Sequence, residues 1–253
     1  MMKNNRLFTR ILAFAVVISL VVSTPATQAS AAYNLPNKII HACGRYNGQA
    51  YTKSLEALDN TLKHKVKAIE VDLSYTSDGY LIGGHYTTGR LAYVQSLVDY
   101  TVLTADVLLE KLSDRDEIYL IVDSKCGNIG RVYRDLVKMC EENGYTTMAD
   151  RIVPQIYSEE DYEVINSVYD FKEYIFTLYR VAGKNTSKYK SIAKFCKKHH
   201  IKTVTIPKAY VKKSVCKIFK KQGLKVFTHT VNTKKQVKKY KKMGVYGVYT
   251  DKC

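Results

Sequence analysis

Residues 68–85 read AIEVDLSYTSDGYLIGGH, and this stretch indicates how the chain folds. Ala68–Leu73 is rich in branched apolar residues, which is typical of a buried strand. A second β-type run, Tyr80–His85, follows after a short turn that contains Gly79. Because a parallel connection needs a dozen or more residues, the two runs must form an antiparallel hairpin. The centre of this turn predicts that the returning arm brings His85 level with Asp72.

From residue 38 to the end, β-type runs alternate with amphipathic helical patterns, which indicates parallel strands joined by helices. Their number and even spacing predict one closed α/β barrel of the (β/α)8 TIM type, with the β-hairpin extending from its second strand. The predicted strands are Lys38–Ala42, Ala68–Leu73, Ile118–Asp123, Arg151–Ile156, Glu173–Tyr179, Thr203–Ile206, Lys225–Thr230 and Gly247–Thr250. The predicted helices are Ser54–His64, Leu103–Leu112, Ile129–Asn143, Glu159–Val168, Ser187–His199, Val211–Gln222 and Lys234–Met243.

The first part of the chain has the composition of an export signal. Basic residues precede the apolar run Ile11–Val22, and small residues end the segment at Ala31. The apolar run is too short to span a bilayer. We therefore expect a signal peptide at residues 1–31, a single barrel domain at 32–253 and no transmembrane segment after signal removal. This pattern predicts a protein that is secreted, extracellular or associated with the cell wall.

The chain is strongly basic, with a formal net charge of +17 at pH 7. Much of this excess comes from lysine pairs late in the sequence, such as Lys212-Lys213 and Lys238-Lys239. Because the pairs recur at helical spacing, they indicate either solvated outer helix faces or attraction to an anionic membrane or a phosphate-bearing cell-wall polymer. Nucleic acid is disfavoured as a partner, since neither aromatic interleaving nor a recognised binding motif accompanies the lysines.

The six cysteines do not have the spacing of a zinc site. Cys43 follows the first predicted strand and Cys253 follows the last, and these strands are neighbours in a closed barrel. A disulfide between the two is therefore one expectation in an exported protein, and two free thiols are the alternative.

Three carboxylates lie where a closed barrel would bring them to one rim. Glu70 and Asp72 are two residues apart on a strand, so both side chains point to the barrel interior, and Asp123 ends the third strand. Buried carboxylates without partners are costly. The cluster therefore predicts one hard divalent cation with oxygen ligands, Ca²⁺ or Mg²⁺. Lys125 is placed either to hold a phosphate oxygen or to neutralise these carboxylates.

Two histidines are predicted at the same rim. His41 ends the first strand, and His85 ends the returning arm of the hairpin. A lone histidine at a strand end is commonly a core residue with its hydrogen bonds satisfied. Two histidines beside an acidic site have pKa values suited to a general acid and a general base.

The order of these motifs resembles that of the glycerophosphodiester phosphodiesterase family over nearly the whole chain after residue 31. The motifs are Ile39-Ile40-His41, Glu70-Val71-Asp72, Thr76-Ser77-Asp78-Gly79, His85, Asp123-Ser124-Lys125, Thr230-Val231-Asn232 and Thr250-Asp251. The resemblance implies a barrel that holds a divalent ion on Glu70, Asp72 and Asp123. It also implies that His41 and His85 are catalytic and that Lys125 contacts the substrate phosphate.

The sequence departs from the family pattern at three places. The family has His-Arg-Gly where this chain has His41-Ala42-Cys43-Gly44, so Arg45 or Arg180 is a candidate for the missing phosphate contact. The family has Glu-Asn-Thr where this chain has Thr52-Lys53-Ser54, which predicts an added charge from Lys53 near the phosphate. His229 stands where the family usually has tryptophan, which predicts a more polar wall of the substrate pocket.

These features together predict an exported, metal-dependent phosphodiesterase that acts on a small glycerophosphodiester, either derived from phospholipid or similar to a wall polymer. The two histidines would provide acid–base catalysis. One alternative is a lyase of the phospholipase C or D type that stops at a cyclic phosphate. The other alternative is a non-catalytic barrel that binds an anionic polymer.

Overall fold

The computed structural model describes residues 34–85, 89–183 and 186–253, so the predicted signal peptide at 1–31 lies outside the described residues. Strands and helices alternate along the described chain. The strands are β1 (Lys38–Ile40), β2 (Arg45–Tyr46), β3 (Gln49–Ala50), β4 (Ala68–Tyr75), β5 (Leu81–Gly83), β6 (Tyr119–Ser124), β7 (Ile152–Ile156), β8 (Ile175–Thr177), β9 (Thr203–Pro207), β10 (Lys225–His229) and β11 (Gly247–Thr250). The helices are α1 (Leu55–Leu62), α2 (Leu91–Ser96), α3 (Ala105–Ser113), α4 (Ile129–Glu142), α5 (Met148–Arg151), α6 (Glu159–Asn166), α7 (Thr186–Lys198), α8 (Lys213–Lys220) and α9 (Lys234–Lys242).

Eight parallel strands form a barrel that closes between β1 and β4. Ile40 of β1 lies level with Thr250 of β11 on one side and with Ile69 of β4 on the other. The order around the barrel is β1, β4, β6, β7, β8, β9, β10 and β11. The predicted TIM-type barrel is therefore confirmed, and each predicted strand and helix has a counterpart at similar bounds.

The barrel interior is apolar at one end and polar at the other. Residues two apart on a strand point to the same side. Along several strands the inward-facing residue is apolar first and polar two positions later, as in Ile121 and Asp123 or Phe227 and His229. The apolar layer packs as a separate cluster formed by Leu35, Ile39, Ala68, Ile121, Val153, Ile175, Phe227 and Tyr249. Polar side chains therefore gather at the carboxyl ends of the strands, where barrel enzymes carry their active sites.

The predicted hairpin is present, but its predicted register is wrong by one residue. β5 runs antiparallel to β4. The Gly84 amide donates to the Asp72 carbonyl oxygen at 3.0 Å, so Gly84 occupies the place predicted for His85. The turn explains the difference, because three residues separate its hydrogen-bonded arms and the last of them, Gly79, has a left-handed φ of +92°.

Several short elements were not predicted. β2 and β3 form a two-stranded antiparallel ribbon after β1. α2 has no buried residue, so it lacks the apolar periodicity that would reveal it in the sequence. α5 is a single turn that ends at Arg151, whose guanidinium donates to four main-chain carbonyl oxygens at and after the end of α3. α5 is thus fixed by contacts distant in sequence, whereas β2 and β3 are joined by the local turn Asn47-Gly48.

All six cysteines lie in the described residues and are free thiols. Of the two alternatives predicted for Cys43 and Cys253, the structure therefore has the free thiols and lacks the disulfide. Cys43 is buried and Cys253 is exposed. The Thr61 hydroxyl lies between them, donating to the Cys43 carbonyl oxygen at 2.8 Å and lying 3.3 Å from Cys253 Sγ.

The helices that cover the barrel are short. The longest, α4, has 14 residues and buries one face that includes Val132 and Leu136. Among the described residues, no helix has the combination of length and apolar character that crossing a membrane requires.

Candidate active site

Three buried carboxylates lie together at the carboxyl end of the barrel. The pairing of β4 with β6 places Asp72 level with Asp123, and Glu70 precedes Asp72 by two residues on the same face. One carboxylate oxygen of each residue lies within 4.8 Å of the others. Glu70 is 2%, Asp72 5% and Asp123 4% exposed. The structure therefore brings together the three residues that were predicted as metal ligands.

Burial and mutual repulsion act on this cluster. Burial raises the pKa of Glu70 and the Asp72 charge raises it further, although the Ala42 amide donates to Glu70 Oε2 at 2.9 Å. Burial also raises the pKa of Asp123, against the opposing charge of Lys125. Asp123 Oδ1 is buried and has no hydrogen-bond partner among the described residues. A cation bound among the three carboxylates would reduce their repulsion and satisfy this oxygen.

Two lysines contact the acidic cluster. Lys125 Nζ lies 2.7 Å from Asp123 Oδ2 and 3.1 Å from Asp72 Oδ1. Burial lowers the pKa of Lys125, but the charges of Asp123 and Asp72 outweigh burial and hold the pKa above its ordinary value. Lys53 Nζ lies 3.1 Å from Asp72 Oδ2. Each oxygen of Asp72 therefore has its own ammonium partner.

The backbone holds Lys53 in this position. Its φ of +50° lies in the left-handed region, and it directly precedes Ser54, which caps α1. Its side chain is only 7% exposed. The structure places the Lys53 ammonium group against Asp72, and its predicted charge near the substrate phosphate stays a prediction.

His41 has a fixed orientation. Its Nδ1 lies 2.9 Å from Asp251 Oδ1, and Asn232 Nδ2 donates to the other Asp251 oxygen at 2.6 Å. Burial raises the pKa of Asp251, but the hydrogen bonds from His41 and Asn232 outweigh burial and lower it. The Asp251 carboxylate is therefore an acceptor, and His41 Nδ1 donates.

This hydrogen bond turns the other ring nitrogen of His41 toward the carboxylates. His41 Nε2 lies 4.0 Å from Glu70 Oε2. Burial lowers the pKa of His41, but the bond to Asp251 and the charge of Glu70 outweigh burial, so the pKa is raised. His41 can therefore hold a proton on Nε2, next to the carboxylate of Glu70.

His85 reaches the same site from the hairpin. It follows β5, is exposed, and lines a cavity of about 180 Å³ together with His41 and the three carboxylates. The one-residue shift in register therefore does not remove His85 from the rim. The structure brings both predicted histidines to one cavity.

A second cavity of about 250 Å³ adjoins the first, and Tyr51 and His85 line both. Its wall includes Lys53 and apolar side chains such as Val94, from α2, and Val98. A polar cavity thus lies beside a partly apolar one.

His229 lies in the wall of the central cavity, as predicted for the substrate pocket. Its ring centroid is 6.5 Å from that of His41, and its Nδ1 lies 2.9 Å from the Tyr179 hydroxyl. Burial lowers the pKa of His229 to about 3, so the ring is neutral at physiological pH. Its Nε2 has no hydrogen-bond partner within the described part of the chain.

The two arginines considered for the phosphate contact do not line the central cavity. Arg45 Nη2 lies 3.7 Å from Asp251 Oδ2. Arg180 is 64% exposed at its side chain and lies 3.9 Å from Asp161. Of the four cations predicted to contact phosphate, Lys125 is the one that the described structure places in the cavity wall.

Two residues of the site, Asp251 and Tyr157, received no role from the sequence. Asp251 orients His41, and the Tyr157 hydroxyl donates to Asp123 Oδ2 at 2.6 Å. Both residues directly follow a barrel strand, one position beyond the kind of strand end that identified Asp123. Their location at the rim was therefore available from the sequence, but their partners were not.

Clustered carboxylates, a lysine and an oriented histidine at the carboxyl end of a (β/α)8 barrel are the features of the active site of a barrel enzyme. The sequence model of the glycerophosphoryl diester phosphodiesterase family matches residues 118–253, more than half of the chain. The chain belongs to the glycerophosphoryl diester phosphodiesterase family and is a phosphodiesterase. No curated protein gives a significant match to the sequence.

Solved structures share the fold. An Oleispira antarctica phosphodiesterase in complex with the product sn-glycerol-3-phosphate has 16% identity and a TM-score of 0.64, over 86% of this chain and 93% of that chain. A Parabacteroides distasonis glycerophosphodiester phosphodiesterase has 17% identity and a TM-score of 0.63, over 85% and 93% of the two chains. An Agrobacterium tumefaciens glycerophosphodiester phosphodiesterase has 18% identity and a TM-score of 0.59, over 86% and 97%.

Proposed function

We propose that this protein is an exported, metal-dependent glycerophosphodiester phosphodiesterase in which His41 and His85 are the acid–base pair. One observation carries the proposal. Three buried carboxylates converge beside an oriented histidine, and Asp123 Oδ1 has no hydrogen-bond partner among the described residues. Family membership supplies the phosphodiester as the class of substrate.

Glu70, Asp72 and Asp123 would hold one divalent cation, Ca²⁺ or Mg²⁺. The ligand atoms are all oxygens, which both ions prefer, and the residues are almost fully buried. A bound cation supplies positive charge that neutralises the phosphodiester and stabilises negative charge in the transition state. Lys125 lines the same cavity and would contact a second phosphate oxygen.

The two histidines would divide the proton transfers. Asp251 holds the Nδ1 proton of His41, so Nε2 is the atom that exchanges a proton with the reacting groups. One histidine removes the proton of the nucleophile, and the other protonates the leaving alcohol as the phosphorus–oxygen bond breaks. His85 borders both cavities, which suits the leaving alcohol.

The adjoining cavities support a small diester as the substrate. The central cavity is lined by the ionic groups and suits the phosphate, whereas the second cavity has apolar side chains that would contact one alcohol. The Oleispira antarctica structure contains sn-glycerol-3-phosphate as a product. We therefore propose that one alcohol of the substrate is glycerol.

Export is proposed from the sequence pattern of residues 1–31 alone. The enzyme would then act outside the cell or at the cell wall, on diesters released from phospholipid or polymer. The amino-terminal sequence of the mature protein tests this proposal. A chain that begins at Ala32 in the culture medium or wall fraction is expected, and full-length protein confined to the cytosol would contradict export.

Turnover of glycerophosphodiesters with and without chelator tests the catalytic proposal. Activity on glycerophosphocholine or glycerophosphoethanolamine should be lost on exhaustive chelation and restored by Ca²⁺ or Mg²⁺. Full activity after chelation would contradict the metal role. The absence of turnover on every diester would favour the non-catalytic barrel.

Phosphorus NMR of the product separates the hydrolase from the lyase. A hydrolase should give a phosphomonoester as the final product. A cyclic phosphate that persists after the substrate is consumed would instead assign the chain to the lyase alternative.

A further inference from the structure

The last third of the chain has a one-sided charge distribution. From Tyr174 to Thr250 the sequence contains 20 lysines and no aspartate or glutamate. This segment includes the outer helices α7, α8 and α9. The lysines of these helices therefore cannot form the i,i+4 ion pairs with carboxylates that commonly balance an exposed helix.

Two grooves run along α8. The groove between α7 and α8 has a volume of about 320 Å³ and is lined by the lysines Lys190, Lys194, Lys217 and Lys221. The groove between α8 and the end of α9 has a volume of about 470 Å³ and is lined by the lysines Lys213, Lys217, Lys220, Lys221 and Lys242. Lys217 and Lys221 line both grooves, and within the described structure no carboxylate lines either of them.

The groove lysines form rows with a regular spacing. Lys213, Lys217 and Lys221 are four residues apart along α8 and its C-cap, and Lys190 and Lys194 have the same spacing on α7. Because a helix rises about 1.5 Å per residue, successive lysines in a row are separated by about 6 Å along the axis. In an extended polypeptide, the three backbone bonds of one residue span about 3.3–3.6 Å. By the same measure, a polymer with one phosphodiester every six backbone bonds has successive phosphates about 7 Å apart when it is extended. Consecutive phosphates of such a chain can each meet a lysine.

The surface around the grooves favours a simple linear polymer over a membrane or a nucleic acid. Membrane-binding helices also present large apolar side chains, and sites for single-stranded nucleic acid present aromatic rings that stack on bases. Large exposed apolar or aromatic side chains are found at other places in the described chain, such as Tyr93 and Leu97, but not on α7, α8 or α9.

We propose that the two grooves bind a linear polyol-phosphate polymer, in which phosphodiesters join short polyhydroxyl units. The grooves lie on the outer helices and share no residue with the catalytic cavity. Binding there would hold the enzyme on a polymer whether or not that polymer is hydrolysed. This inference goes beyond the proposed hydrolysis and can fail while the catalytic proposal stands.

Binding of the protein to poly(glycerol phosphate), measured by calorimetry at several salt concentrations, tests this assignment. Lys217→Gln/Lys221→Gln removes the two lysines shared by the grooves. The control Lys234→Gln/Lys238→Gln removes two exposed lysines of α9 that have the same spacing and lie outside the grooves. We expect the groove variant to bind at least tenfold more weakly. The slope of log Kd against the logarithm of the salt concentration should also fall by about 1.4, because each lost lysine–phosphate contact removes about 0.7 from this slope. The control variant should stay close to wild type.

Three results would overturn the proposal. Equal weakening in both variants would leave only non-specific attraction to a basic protein. Binding to vesicles of phosphatidylglycerol and phosphatidylcholine without binding to the polymer would assign the surface to a membrane. Tighter binding of poly(dT) than of poly(glycerol phosphate) would assign it to nucleic acid. Diester turnover at the wild-type rate in the groove variant would show that the fold is intact.

Discussion

The catalytic rim and the lysine grooves differ in how their charged side chains are buried and paired. At the rim, Glu70, Asp72 and Asp123 are almost fully buried, and Lys53 and Lys125 lie within 3.1 Å of Asp72. In the grooves, the lysines lie on outer helices, and within residues 34–85, 89–183 and 186–253 none of them forms an ion pair with a carboxylate. The rim thus pairs its buried charges, whereas the lysines of the grooves are left to water.

The difference follows from solvation. A buried charge loses its hydration and needs a partner of opposite sign, whereas an exposed lysine keeps its hydration and needs none. Single substitutions at the rim should therefore have large and distinct effects. Single substitutions in the grooves should have small effects, which is why the groove test removes two lysines together.

The largest effect is expected from His41→Ala. His41 is buried, oriented by Asp251 and close to Glu70, so its removal takes away a proton-transfer group with a fixed position. We expect turnover to fall by about two to four orders of magnitude, the usual worth of acid–base catalysis. Steady-state kinetics on a glycerophosphodiester measures this fall.

The matched control for His41→Ala is His64→Ala, which changes an exposed histidine after α1. Cation affinity should be close to wild type in both variants. Wild-type turnover in His41→Ala would remove His41 from the chemistry and leave the rim as a cation site only.

Glu173→Gln tests whether the pairing seen at the rim is a general requirement of burial. Glu173 is 4% exposed, and its Oε1 accepts from the amides of Lys202 at 2.9 Å and Tyr174 at 3.2 Å. Burial raises the pKa of Glu173 to about 7, despite these amides. Away from the rim, therefore, a buried carboxylate is accommodated by holding a proton.

This proton gives the free energy of unfolding a defined pH dependence. The folded protein keeps the Glu173 proton up to about pH 7, whereas the unfolded chain releases it near pH 4.5. The stabilisation is complete below pH 4.5 and is lost as the pH rises to about 7. Its full size is on the order of 3 kcal/mol.

Denaturant unfolding of wild type and Glu173→Gln from pH 4 to 8 measures this contribution. The difference between the two proteins should change with pH only within that window. The control Glu110→Gln, an exposed glutamate of α3, should run parallel to wild type. A constant difference between wild type and Glu173→Gln would mean that Glu173 stays charged in the fold.

Asp123→Asn probes the oxygen that lacks a partner. The substitution keeps the size of the side chain but removes one ligand charge, so calorimetry should show Ca²⁺ or Mg²⁺ binding weakened by about ten- to hundredfold. Excess cation should restore part of the activity. Asp59→Asn is the control, because Asp59 is an exposed carboxylate paired with Lys111 at 2.9 Å. Unchanged affinity in Asp123→Asn would exclude Asp123 as a ligand.

The sequence predicted the barrel well because its signals are local. Each strand and helix has its own periodicity, and the position at the end of a predicted strand identified His41 and Asp123 as rim residues. The hairpin register was wrong because it depends on the conformation of Gly79 in the turn. Partners that lie far apart in sequence, such as Asp251 with His41, could not be inferred from spacing. The same limit applies to Lys53, whose contact with Asp72 depends on its backbone conformation.

Substitution of Lys53 should have the smallest effect, but it tests directly how a lysine paired with a buried carboxylate affects cation binding at the rim. Its ammonium group lies 3.1 Å from Asp72 Oδ2, an oxygen that would otherwise be available to a divalent cation. An ammonium group and a divalent cation about 4 Å apart repel by about 8 kcal/mol at an effective dielectric of about 20, before screening by solvent and salt. Lys53 should therefore lower the affinity of the site for a divalent cation, because its ammonium group already neutralises part of the negative charge of Asp72.

Lys53→Met removes this charge and keeps most of the side-chain volume. Lys125 still contacts Asp72 at 3.1 Å, so the carboxylate is not left without a partner. We expect calorimetry to show Mg²⁺ or Ca²⁺ binding about tenfold tighter than in wild type, because the residual repulsion is screened. Lys53→Arg keeps the charge and should show no gain. Weaker cation binding in Lys53→Met would mean that Lys53 supports the ligands instead of competing with the cation, and equal gains in both variants would assign the effect to packing.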